Sequence, residues 1–220
     1  MTIIVTAVGE RIAILAADGS QTFTPYSTGV PQVLGGAQKI RAVSGLRLAI
    51  GMSGIGRVRG VEVFDYLGQF LTGYREDQPL DASHIALQLG EGIKSMIVAE
   101  IADINASGNP DRTGSALYVA SWNGDRPCVA RSVVAEKGVD VFEQSGWGNV
   151  FPPSCLTDYY ASGPKLTYQS DEVLEQQALD LVRSGILEER RLHAGANEHC
   201  GGPITWAVVG ADGVTVQSSE

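Results

Sequence analysis

Apolar positions along this chain follow two periods, one of two residues and one near 3.6, and the alternation between them outlines the elements. Ile3–Val8 is a β-branched, apolar run and Arg11–Ala17 is another, with Gly9-Glu10 between them as a tight hairpin turn. Residues 19–38 turn polar and rich in Gly, Pro, Ser and Thr, which predicts a long loop. Lys39–Val43 and Arg47–Met52 predict a second strand pair turned at Ser44-Gly45, and Ser53-Gly54-Ile55-Gly56 breaks the sheet. Val61, Phe64, Leu67, Phe70 and Leu71 then fall on one helical face. Ser83 is a candidate N-cap for a longer helix striped by Ile85, Leu89, Ile93, Ile97 and Ile101.

Residues 105–114 predict a loop. Strands follow at Ala116–Trp122, Cys128–Val134 and near Val139–Gln144. A short helix is expected around Cys155–Tyr160, and a longer one capped by Ser170 or Asp171 and running to about Arg191. Pro203–Gly210 and Val214–Gln217 are the closing strands. Hairpin-linked strands on either side of helical stretches predict an α+β fold, with antiparallel sheets stacked between helical layers.

The 220 residues, 44% of them hydrophobic, suffice for one domain over 1–220 with a sizeable core, and no repeat or linker divides them. No apolar run approaches the ~20 residues of a membrane helix, and no basic stretch followed by an apolar run marks a secretory signal. Cys128, Cys155 and Cys200 are odd in number and widely spaced, which speaks against a disulfide framework or zinc site and for a reducing, cytoplasmic setting. A net charge of −9 excludes a general nucleic-acid binder, because phosphate contacts need clustered Lys and Arg.

Candidate chemistry gathers at four places. Removal of Met1 before the small Thr2 would expose a threonine with a free α-amine. Asp18 ends the second apolar run, so a hairpin returns it beside the N-terminus. Lys39 begins the third strand, and Gly51-Met52-Ser53-Gly54 ends the fourth, where small residues free backbone N–H groups. A threonine hydroxyl needs a base, and a terminal α-amine of reference pKa ~8 can act as one. A neighbouring lysine ammonium favours the neutral amine, and Asp18 is the counter-charge for Lys39. The amide of Gly54 is the candidate donor to a developing oxyanion.

Thr2-Ile3-Ile4-Val5, Leu15-Ala16-Ala17-Asp18-Gly19, Lys39-Ile40 and Ser53-Gly54 resemble the opening of proteasome β subunits and of the bacterial HslV peptidase. Counted from Thr2, Asp18 falls on the family's catalytic aspartate without a gap. Lys39 matches its lysine after a short insertion, and Gly54 takes the oxyanion position. Downstream, Ser145-Gly146 resembles the Ser-Gly whose serine supports the terminal amine, and Cys200-Gly201-Gly202 resembles the family's Ser-Gly-Gly. The family pattern puts an aspartate and a serine three residues apart where this chain has Asn197 and Cys200. The resemblance implies a four-layer αββα sandwich and a threonine endopeptidase with Thr2, Asp18, Lys39, Gly54 and Ser145 as catalytic residues. It also implies a peptide or unfolded-protein substrate, a homo-oligomeric ring or closed assembly, an ATPase unfoldase as partner, and maturation by loss of Met1 alone. An inactive scaffold subunit and an amidase or transpeptidase on the same fold are the alternatives.

Other chemistries fit less well. Gly51-Met52-Ser53-Gly54-Ile55 lacks the second glycine of a Gly-x-Ser-x-Gly elbow. Gly35-Gly36-Ala37-Gln38-Lys39-Ile40 fails the Gly-Lys-Ser/Thr of a phosphate loop. His84, His193 and His199 lack metal-ligand spacing, so neither a metal nor a cofactor is expected. Cys200 has the character of a small buried apolar residue.

Overall fold

The first two apolar runs form a hairpin, β1 (Ile4–Val8) with β2 (Ile12–Ala17), closed by a hydrogen bond from the Gly9 amide to the Ile12 carbonyl at 2.8 Å. The computed structural model describes residues 2–23, 32–34, 38–75, 77–106, 114–193 and 200–219. Short strands β3 (Gln21–Phe23) and β4 (Gln32–Leu34) pair with each other inside the stretch expected as loop. β5 (Ile40–Ala42) and β6 (Leu48–Gly54) turn at Gly45, whose φ of 72° suits glycine. The sheet breaks two residues later than expected, after Gly54, and a small hairpin follows, β7 (Arg57–Val58) and β8 (Val61–Glu62). The helix expected from Val61 is shorter, α1 (Val63–Leu67), and tightens into a 3₁₀ turn at Gly68–Leu71.

α2 (Ala82–Ala106) carries the predicted stripe, with Ile85, Leu89, Ile93 and Ile97 wholly buried. Each such side chain contributes about 1.5–3 kcal/mol of transfer free energy. Its cap is Asp81 rather than Ser83: the Asp81 carboxylate accepts from the His84 amide at 2.9 Å, and the Asp81 carbonyl from Ile85. Beyond it lie β9 (Gly114–Trp122), β10 (Pro127–Ala135), β11 (Gly138–Glu143) and a strand the sequence pattern did not suggest, β12 (Gly148–Phe151). α3 (Thr157–Ser162) follows a 3₁₀ turn at Ser154–Leu156. α4 (Asp171–Leu192) is capped by Ser170, whose hydroxyl accepts from the Val173 amide at 3.3 Å. β13 (Ile204–Gly210) and β14 (Gly213–Ser219) complete the chain.

The fold is α+β with antiparallel sheets. One five-stranded sheet has the order β12-β1-β2-β13-β14 and the other β11-β10-β9-β6-β5. Strand alternation sorts the side chains. Ile3, Val5, Ala7, Ile14 and Ala16 pack with Leu174, Ala178 and Val182 of α4. Ile4, Ala13, Leu15 and Ala17 meet Ile40, Ala49, Tyr118 and Ala120 between the sheets. The outer face of the second sheet packs on α2. Among the described residues no helix is long and apolar enough to cross a membrane.

Candidate active site at one end of the paired sheets

Antiparallel pairing sets Ala17, the last residue of β2, opposite Ile4, the first of β1, so Asp18 lies where β1 begins. Asp18 is fully buried and saturated with donors. Its Oδ1 accepts from the Ile3 amide at 2.8 Å and from Lys39 Nζ at 2.9 Å, and its Oδ2 from the amides of Gly201 at 3.2 Å and Ser20 at 3.3 Å. Three backbone donors and one ammonium on a carboxylate make a site for a fixed negative charge. Lys39 belongs to the strand order of the other sheet, where its carbonyl accepts from the Met52 amide at 3.0 Å. Its side chain therefore bridges the sheets, and it is only 8% exposed.

Thr2 is half-buried and directly precedes the amide that Asp18 holds. Ile3 faces α4 and Ile4 faces the second sheet, so the same alternation carries Thr2 to the side from which Lys39 reaches across. Gly54 closes β6 at the same end of the second sheet, two residues beyond the one that pairs with Lys39. Met52 donates its amide towards β5, and Ile55 donates towards Gly114 at the start of β9. Amide directions alternate along a strand, so the Gly54 amide points to the Lys39 side. With φ at +88°, and the Gly114 carbonyl oxygen where a Cβ would stand, Gly54 tolerates no side chain. Gly54→Ala should lower stability by about 1–3 kcal/mol in a denaturant titration.

Ser145 does not join this cluster. Val8 at the far end of β1 donates to the Trp147 carbonyl at 2.9 Å, and Ala7 pairs with Gly148. Ser145 thus lies between Gln144, which bonds Thr6, and Trp147, which bonds Val8, alongside the C-terminal half of β1, while Thr2 precedes its N-terminal end, roughly 13 Å or more along the strand at about 3.3 Å per residue. The same register brings another serine near: Phe151 pairs with Ile4, and the chain runs on through Pro152-Pro153 to Ser154, exposed at the Thr2 end. A Ser-Gly dipeptide carries no register by itself, so only the pairing of β12 with β1 separates the two serines.

Other residues at the site were not singled out by their chemistry. Gly201 and Ser20 serve Asp18 through backbone amides, which any residue type could offer, although Gly201 at φ +152° and Gly202 at φ +69° need glycine to make that approach. Asn197 and Met1 lie outside the described residues. Cys200 is 1% exposed among Trp206, Ile204 and the apolar face of α4. Burial pushes its thiol well above the usual range and the Asp18 charge pushes further, against a smaller opposing pull from Lys39. A thiol held neutral and covered is a poor nucleophile. Brief iodoacetamide treatment of the native protein near neutral pH should label the partly exposed Cys128 and Cys155 ahead of Cys200, as read by peptide mass mapping. Among the described residues no group of His, Cys, Asp and Glu could hold a metal ion.

No known family model matches the chain, and no curated protein matches it. An acid–lysine pair, shut off from water, holds the amide that follows Thr2 at the start of a strand, and Gly54 ends its strand at the same end of the other sheet.

Proposed function

We propose that the chain is a threonine-type endopeptidase with Thr2 as its N-terminal nucleophile once Met1 is removed. The observation that carries this reading is the buried Lys39–Asp18 pair, one oxygen of which also holds the Ile3 amide adjoining Thr2. A fixed ammonium near a terminal α-amine favours the neutral amine, which is the form able to take a proton. Thr2 Oγ adds to a peptide carbonyl while its own α-amine accepts the hydroxyl proton. The oxyanion that forms draws on the Gly54 amide. Collapse of the adduct breaks the C–N bond, and the proton passes to the leaving amine, leaving an ester on Thr2. Water, deprotonated by the same α-amine, then hydrolyses the ester and regenerates the hydroxyl.

On this reading, the two sheets with α4 on one side and α2 on the other are the four-layer αββα sandwich of the N-terminal nucleophile hydrolases. The protein works in the cytoplasm as a homo-oligomeric ring or closed assembly on peptide or unfolded-protein substrates, with an ATPase unfoldase as feeder. A second reading, an inactive scaffold subunit, draws on the position of Ser145, which leaves the resemblance without its supporting serine at the site. An amidase on the same fold would share the nucleophile and differ in the amide it attacks, and a transpeptidase would differ in the acceptor of the acyl group.

An epoxyketone bonds to both the hydroxyl and the amine of a terminal threonine, so it separates an active Thr2 nucleophile from the inactive scaffold, and turnover of a peptide panel then separates hydrolysis from transfer. The expected result is one adduct per chain mapping to Thr2 and absent in Lys39→Ala. Processed protein that forms no adduct, or forms one elsewhere, would overturn the peptidase reading and leave the scaffold.

A further inference from the structure

A cleft of about 190 Å³ lies between the paired sheets, with β1 and β12 on one wall and β10 and β11 on the other. Arg131 is its central feature. Its guanidinium lies over the Phe151 ring at 4.5 Å and the Phe142 ring at 4.9 Å, so aromatic rings cover it. Its register partner on β9 is Tyr118, whose phenol oxygen accepts a hydrogen bond from the Arg131 side chain but, kept neutral by burial, supplies no counter-charge. Among the described residues no ion pair includes Arg131, although the chain has an excess of carboxylates. Its Nε is buried without a hydrogen-bond partner.

Gln144 adds a second donor. The Thr6 hydroxyl donates to Gln144 Oε1 across the gap between the sheets, which fixes the amide, and Gln144 Nε2 is left buried and unpartnered. Both side chains line the same cleft. A buried donor without a partner costs about 1–3 kcal/mol, and a cation without a counter-charge costs more. Two such donors, on side chains that line one cleft beside the Phe142 and Phe151 rings, suit a planar acceptor with negative charge and an apolar body. The volume fits, since a cavity of about 150 Å³ holds a benzene ring. Glu143, exposed at the mouth, adds a negative charge that disfavours dianions.

We propose that this cleft is a binding site for a small monocarboxylate with an aromatic or flat apolar body, its carboxylate held by Arg131 and Gln144. Guanidinium–carboxylate hydrogen bonds are among the strongest neutral water allows, and the flat rings match an aryl group. This site does not depend on the peptidase reading, because none of its residues belongs to the Thr2 cluster.

The test is calorimetric titration of the intact protein with benzoate, using benzamide as the uncharged isostere and phthalate as the dianion. Saturable benzoate binding is expected, with benzamide and phthalate each weaker by about tenfold or more. Arg131→Gln should weaken benzoate by at least about tenfold. Gln144→Glu, which sets a carboxylate against the ligand, should do the same and serves alone if Arg131→Gln fails to fold. 3-Phenylpropionate and N-acetylphenylalanine distinguish a free acid from the carboxyl end of a peptide as the source, and preferential binding of either supports the site. Absence of saturable benzoate binding in the millimolar range, equal affinity for benzamide, or undiminished binding in the folded variants would overturn the proposal.

Discussion

Thr2→Ala is expected to lower peptide hydrolysis by about 10⁴-fold while leaving the thermal midpoint unchanged. The two halves of this expectation have different physical origins. The hydroxyl is the atom that bonds to the substrate, and no described neighbour replaces it: Cys200 is buried and neutral, and Ser154, though exposed at the Thr2 end, carries no α-amine to serve as its base. Stability, by contrast, draws on Ile3 and Ile4, which are wholly buried on opposite faces of the strand and stay in place when a half-exposed side chain beside them loses its hydroxyl and methyl. Thr2→Ser keeps hydroxyl and amine together and should retain activity to within about tenfold. Steady-state rates on a fluorogenic peptide panel, taken with intact masses, check all three forms. The active species should begin at Thr2. Full activity in the alanine variant, or in protein still carrying Met1, would remove Thr2 from the mechanism.

What the sequence disclosed depended on how local the deciding contact is. The α2 stripe was legible because Ile85, Leu89, Ile93 and Ile97 repeat every four residues and all face one sheet. The position of Asp18 was legible because a tight turn at Gly9 leaves a hairpin few registers, and the end of β2 must come back to the start of β1. Lys39 was the harder inference, since its side chain leaves its own sheet to reach Asp18 in the other. Only the chemical need for a counter-charge, and the resemblance to the family's lysine, pointed there. β12 escaped notice for the opposite reason. Gly148-Asn149-Val150-Phe151 lacks a clear alternation and sits between a Gly-Trp-Gly turn and two prolines, so it is a strand only because β1 offers it an edge. The misplacement of Ser145 follows from that omission, because the strand that separates Ser145 from Ser154 also decides which of them lies near Thr2. Asp81 displaced Ser83 as the α2 cap for a simpler cause. Both residue types cap well, and the choice between them rests on where the chain leaves the preceding turn.

Asp18→Asn should be the most destabilising single change at the site, by about 3–5 kcal/mol, since it strips the counter-charge from a lysine that stays buried. The amide adds a second fault. An asparagine offers one accepting oxygen and one NH₂ group, whereas Asp18 receives donors on both oxygens, so the NH₂ must face either Ile3 and Lys39 or Ser20 and Gly201. Lys39→Met leaves the carboxylate its three backbone amides and should cost less, about 1–3 kcal/mol. The double variant tests whether the pair acts as a unit. Removing both charges leaves nothing uncompensated except the misfit of the amide, so its loss should fall well short of the sum of the single losses, by a coupling of about 1.5–3 kcal/mol. Urea titrations of the four proteins measure this directly. Additive losses would mean that Asp18 is held by the backbone amides alone, with Lys39 an accidental neighbour. The link between stability and catalysis at this site would then dissolve, because Asp18 would not be what fixes the position from which Lys39 tunes the Thr2 amine.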